Sequence, residues 1–177
     1  AAAAARNMSS VTLKMALNAA KLAVQSACAC AHQPGPAIPC VTSCRGKRMT
    51  DHEFLKQFET CTLPAALFKH QGHLRAAWLY LNQYMYPDAV ERIRNGIKRY
   101  AASLGASHIY HETITLAWVR LVYAAVREHN AGSFSEFYTF HPHLHNSKLL
   151  LEYYSGALLA DTEAKHHWMP ADIKPLP

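Results

Sequence analysis

FKHQGHLRAAW, residues 68–78, has apolar residues that recur with the period of an α-helix, so it predicts a helix. YHETIT, residues 110–115, begins a second apolar helical pattern further along the chain. Both stretches carry histidine and other polar side chains inside apolar patterns, where such groups are costly to bury unless they are paired or used. We therefore expect two neighbouring helices with a polar site between them.

The other patterns of the chain are helical as well. Apolar residues follow helical spacing in segments 51–61, 87–103 and 109–129, and the last of these is apolar nearly all round, which is typical of a central helix. No segment shows sustained alternation of apolar and polar residues between turn signals. The sequence predicts an all-α protein, a single compact helical bundle of about five to seven helices with an N-terminal appendage.

The basic excess of the chain belongs to its N-terminal segment. Residues 1–50 hold six Lys or Arg and no Asp or Glu, whereas residues 51–177 hold 12 basic and 12 acidic residues. A neutral body without a basic stripe argues against nucleic acid as its main partner. No run approaches the roughly 18 apolar residues of a membrane-spanning helix, so no membrane span is expected. The expected partners are a small-molecule substrate and, as a homo-oligomer or a complex, a second copy or another protein.

Residues 1–48 are expected to be an appendage to an all-helical domain of residues 49–177. Ala1–Ala5 is interpreted as a tag remnant, and residues 8–31 as a transit-like segment or an amphipathic helix that docks on a partner. The prolines of residues 32–39 predict a linker. The five cysteines do not describe a disulfide framework, which favours a reducing, cytoplasmic location, or an organellar matrix if the first segment is a transit peptide.

Three histidines are the candidate metal ligands. His70 and His73 lie three residues apart, so they share one helical face with Cβ atoms about 5–6 Å apart. His111 is expected on the second helix, facing them. Three protein ligands with one open position are typical of catalytic metal sites. The sequence therefore predicts a divalent metal ion, zinc first and iron or copper second.

Glu112 and Thr115 are the candidate catalytic residues. Glu112 is expected either as a fourth ligand or as the base that deprotonates metal-bound water, and Thr115 as a group that orients water, substrate or a histidine ring. This arrangement predicts a metal-dependent hydrolase or lyase acting on a small organic substrate, with an iron or copper oxidoreductase as the second enzyme hypothesis. The alternative is a non-catalytic interaction or structural subunit, in which an ion-free network of His, Glu and Thr side chains joins the helices.

The order of motifs resembles that of a family of small, uncharacterised, mostly bacterial all-helical proteins. The motifs, as they stand in this sequence, are FxxCTLP at 58–64, FxHxxHLRxAW at 68–78, YHETIT at 110–115, YYS at 153–155 and PADIKPLP at 170–177. The chain departs from the family pattern at Ala171, which separates Pro170 from Asp172. The resemblance implies a helical fold and no particular activity.

Overall fold

The computed structural model describes residues 49–177. Its α-helices are α1 (Asp51–Glu59), α2 (His70–Gln83), α3 (Tyr86–Ser103), α4 (Glu112–Glu128), α5 (Phe134–Phe140), α6 (Gly156–Leu159) and α7 (Thr162–His166). Single 3-10 turns are formed by Ala65–Leu67, Ser107–Ile109, Pro142–His145 and Leu149–Glu152. Since this part of the chain contains no β-strand, the predicted all-α class is confirmed. The predictions for residues 1–48 lie outside the described residues.

The first helix begins at a capping box and is tied to α2 by an arginine. Glu53 N–H donates to the Thr50 hydroxyl at 3.2 Å, and Thr50 N–H donates to the Glu53 carboxylate at 3.0 Å, so two unpaired donors of the helix start are satisfied. Arg75 of α2 donates to Asp51 at 2.6 Å and to the Met49 carbonyl at 3.0 Å. The arginine of the HLR motif therefore holds the start of α1 against α2.

An aromatic cluster fills the space between α1, α2 and α3. The rings of Phe58 and Phe68 stack with centroids 4.8 Å apart, and Tyr100 meets Phe68 edge-on at 4.6 Å. A Cβ atom at Gly96 of α3 would lie 2.8 Å from the Phe58 ring, so the absence of a side chain lets α3 approach this close. Such edge-to-face and offset pairs add to the hydrophobic stabilisation of the core.

The central helix α4 packs against α2, α3 and α7, as its apolar pattern predicts. Its Thr113 hydroxyl donates to the His167 carbonyl at 2.7 Å and accepts from Met169 N–H at 3.0 Å. Beyond α7, Asp172 accepts from Ser155 N–H at 2.8 Å, so the C-terminal tail is fixed to the start of α6. Within residues 49–177, no helix has the length and apolar character of a membrane-crossing segment.

Candidate functional site

A buried carboxylate lies at the first position of α4. The side chain of Glu112 is 4% exposed, and its Oε1 lies 2.5 Å from Arg94 Nη2 while its Oε2 lies 3.2 Å from Lys98 Nζ. Arg94 and Lys98 are one turn apart on α3, so both face the same carboxylate. Their charges offset the cost of taking Glu112 out of water.

These contacts keep Glu112 ionised. Burial by itself would raise the pKa of Glu112, but hydrogen bonds from Tyr110 and Lys98 and the charges of Arg94 and Lys98 together hold it below its ordinary value. A carboxylate with a low pKa is a weak general base, because the best catalytic pKa lies near the working pH. The geometry therefore suits a fixed hydrogen-bond acceptor better than the proton-abstracting base predicted from the sequence.

Tyr110 links Glu112 to Thr115 through hydrogen bonds. The Tyr110 hydroxyl donates to Glu112 Oε2 at 2.9 Å and is hydrogen-bonded to the Thr115 side chain. Burial, and then the neighbouring Glu112 carboxylate, raise the pKa of Tyr110 far above its ordinary value, so the phenol stays protonated at neutral pH. Lys98 Nζ lies 4.8 Å from the centre of the same ring. Thr115 is thus connected to Glu112 through Tyr110, and its backbone N–H donates to the His111 carbonyl at 3.1 Å.

A pocket of about 310 Å³ opens beside Glu112, near the lower end of the range of about 300–1,000 Å³ that is usual for small-molecule sites. Its wall brings together α3, the 3-10 turn before α4, the start of α4 and the end of α7. The lining residues are Lys98, Ser107, His108, Tyr110, Glu112, Lys165 and His166. We call it the Glu112 pocket.

A larger groove of about 770 Å³ runs along α3, away from the predicted site residues. It is lined by Glu59, Tyr80, Asp88, Glu91, Arg92, Asn95 and Arg99. The Tyr80 hydroxyl donates to Glu59 at 3.0 Å, and the Arg92 guanidinium lies 4.1 Å from the centre of the Tyr84 ring. Three carboxylates and two guanidinium groups face this groove, so its charges largely balance and specify no class of ligand.

His111 caps α4, which corrects the expectation that it lies within the second helix. Its backbone is extended, with φ −138°, and its Nδ1 accepts from Ile114 N–H at 3.3 Å. Its Nε2 lies 3.2 Å from the Leu159 carbonyl, and because a carbonyl only accepts, this nitrogen is the donor. Burial lowers the pKa of His111 and favours this neutral ring. Both ring nitrogens are therefore engaged by the protein.

The two histidines of α2 also have structural neighbours. His70 is the first residue of the helix, and its Nε2 donates to the Leu144 carbonyl at 2.8 Å while its ring packs edge-on against Trp118 at 4.7 Å. The His73 ring packs against Phe68, with centroids 4.2 Å apart. Burial lowers the pKa of His70, and burial together with the neighbouring His70 lowers that of His73 to about 4. Both rings are thus neutral at pH 7.

The three candidate ligands do not form one donor set. His70 is bonded to Leu144 and His111 to Leu159, and His111 has no nitrogen lone pair free for an ion. Among residues 49–177, no group of three or more His, Cys, Asp or Glu side chains is placed to hold a metal. This donor chemistry does not fit the expected ion. The metal site stays a prediction.

Several residues of the site were not singled out from the sequence. Arg94 and Lys98 have the spacing of one helical face, but local spacing does not say which carboxylate they meet. Lys165 and His166 reach the pocket from α7, far from YHETIT along the chain. Arg94 and Lys98 could have been noticed in the sequence, because they are two cations one turn apart beside the apolar face of α3.

Comparisons of the chain with models of protein families, with curated proteins and with solved structures gave no significant match. The resemblance carried by FxHxxHLRxAW and YHETIT therefore stays an expectation from the sequence.

Proposed function

We propose that the protein binds a small organic molecule in the Glu112 pocket. The observation that carries this proposal is a buried, ionised carboxylate in the wall of a concave opening. Buried charges are costly, and small-molecule sites characteristically combine a pocket with a few fixed polar groups. Titratable groups with displaced pKa values also cluster at functional sites, and both Glu112 and Tyr110 belong to this class.

In this proposal Glu112 is a fixed acceptor for a hydroxyl or amide donor of the bound molecule. Arg94, Lys98 and Tyr110 hold its two oxygens. Because the side chain is already fixed, it loses little conformational entropy when a molecule binds. The Thr115 side chain is hydrogen-bonded to the Tyr110 hydroxyl. Preorganised polar groups of this kind confer specificity as well as affinity.

We also propose that His70 and His111 have a structural role, through hydrogen bonds to backbone carbonyls in place of the predicted bond from a histidine to Glu112. His70 joins α2 to the 3-10 turn Pro142–His145, and His111 joins the start of α4 to the end of α6. These bonds cross long stretches of chain and support a role in holding the walls of the site together. A direct measurement supports or opposes this: His111→Ala should lower the stability of the full chain without releasing a bound ion.

Binding can be tested by NMR titration of the full chain with succinate, malate, glycerol phosphate, succinamide, glycerol and 1,4-diaminobutane. We expect at least one probe to shift the backbone resonances of residues 107–112 and 165–166. Tyr110→Phe, which removes one hydroxyl that holds Glu112, should weaken the Kd of that probe by about three- to tenfold. Tyr123→Phe, the same change at a tyrosine of α4 outside the pocket, should leave the Kd unchanged. If none of the six probes shifts these resonances, the proposed function is wrong.

A further inference from the structure

Positive charge is concentrated around the Glu112 pocket, although residues 51–177 are neutral overall. Lys98, Lys165 and two histidines line the pocket, and Glu112 is the single carboxylate among its lining residues. Both oxygens of Glu112 are already paired, one with Arg94 and one with Lys98. The negative charge of the carboxylate is therefore already paired with the two cations of α3.

Lys165 is the lysine of the pocket lining that forms no ion pair with Glu112. It is half-buried on α7 and takes part in none of the ion pairs formed among residues 49–177. Lys165 lines the Glu112 pocket, and its positive charge adds to the larger effect of burial in lowering the pKa of the nearby His111. A half-buried ammonium group without a carboxylate is available for a charge-assisted hydrogen bond to a ligand.

We propose that the Glu112 pocket binds a small organic anion whose carboxylate or phosphate group is held by Lys165. This inference rests on the proposed function, since it assigns a charge class to the molecule that the pocket would bind. Arg94, Lys98 and Lys165 carry three positive charges against one negative charge on Glu112. An anion compensates the surplus, whereas an amine would be repelled by Lys165 and would add to it.

Glu112 also orients such a ligand. Its ionised carboxylate repels the acidic group of the anion, which therefore lies toward Lys165, and it accepts a hydrogen bond from a hydroxyl or amide donor at the other end. The ligand class is thus an organic acid that carries a hydrogen-bond donor. A volume of about 310 Å³ limits it to a small molecule. Within the set of probes, malate and glycerol phosphate meet both conditions, and succinate meets only the first.

The test compares the six probes on the wild-type chain and on three lysine variants. We expect malate or glycerol phosphate to bind more tightly than succinamide, glycerol and 1,4-diaminobutane, and more tightly than succinate. Lys165→Gln should weaken the Kd of that anion about tenfold, the size of one lost charge-assisted hydrogen bond. Lys165→Arg keeps the charge and should retain binding. Lys148→Gln, the same change at an exposed lysine outside the pocket, should have no effect.

The outcomes separate this inference from the proposed function. If an amine or an uncharged probe shifts the pocket resonances at lower concentration than every anion, the anion inference is overturned and the proposed function stands. An anion Kd that does not change in Lys165→Gln also overturns it. If no probe shifts the pocket resonances, both proposals fall. The comparison of malate with glycerol phosphate shows whether the acidic group is a carboxylate or a phosphate.

Discussion

His73 should make the fold less stable in acid. Its ring is half-buried against Phe68, and burial lowers its pKa from 6.5 to about 4 in the folded protein. In the unfolded chain the imidazole regains its ordinary pKa, so between these two values the unfolded state binds more protons than the folded state. The free energy of unfolding therefore falls as the pH drops below about 6.5, and the loss levels off below about pH 4.

The two pKa values of His73 set the size of the effect. At pH 7 both states are nearly unprotonated at this residue, and at pH 5 the unfolded chain is protonated while the folded ring is still neutral. This difference in protonation between the unfolded and the folded state lowers the free energy of unfolding by about 2 kcal/mol between pH 7 and pH 5. Burial also lowers the pKa values of His70, His111 and His143, so the whole protein should lose more than His73 alone accounts for.

Urea unfolding of the full chain at the two pH values measures this loss, with the transition followed by circular dichroism. In His73→Leu the loss between pH 7 and pH 5 should be smaller than in the wild type by about 2 kcal/mol, because the titrating group is gone. His52→Leu, at an exposed histidine of α1, should retain nearly the whole wild-type loss. An equal loss in wild type and His73→Leu would refute the assignment of acid sensitivity to His73.

Two further changes test the packing around the site. Gly72→Ala should lower the free energy of unfolding by about 1–3 kcal/mol, because the added Cβ would collide with a backbone carbonyl that cannot rotate away. Thr113→Val should cost about 2–3 kcal/mol, since it removes the hydroxyl that bonds both the His167 carbonyl and Met169 N–H and leaves them unpaired. Both values are measured by urea unfolding at pH 7.

Each of these changes has a matched control. A Cβ atom at Gly156 would meet no atom within 4 Å, so Gly156→Ala should be neutral or slightly stabilising. The hydroxyl of Thr139 is exposed and bonds only the carbonyl one turn earlier in α5, so Thr139→Val should change stability little. Equal effects of Gly72→Ala and Gly156→Ala, or of the two threonine changes, would show that close packing and buried pairing are not the causes.

The helices themselves follow from local sequence. The all-α class was predicted because helical spacing of apolar residues continues through the body of the chain, and helix starts are set by neighbours in sequence, as in the Thr50–Glu53 capping box. Ser133 caps α5 in the same local way, through a hydrogen bond from Glu136 N–H. The start of α4 was placed wrongly because His111, which is no usual N-cap residue, accepts a hydrogen bond from Ile114 N–H.

The sequence also picked out Glu112 as the polar residue that the fold must accommodate, because a carboxylate in an apolar helix needs a partner. Which partner it has was decided only by the tertiary structure. Packing of α3 on α4 brings Arg94 and Lys98 to its two oxygens, and packing of α7 on α4 brings Lys165 to the pocket. Spacing along one helix fixes which side chains share a face, but it carries no information about the opposite wall. The sequence therefore predicted a polar site that includes Glu112 and placed it against α2, whereas in the fold residues of α3 and α7 line the pocket beside this carboxylate.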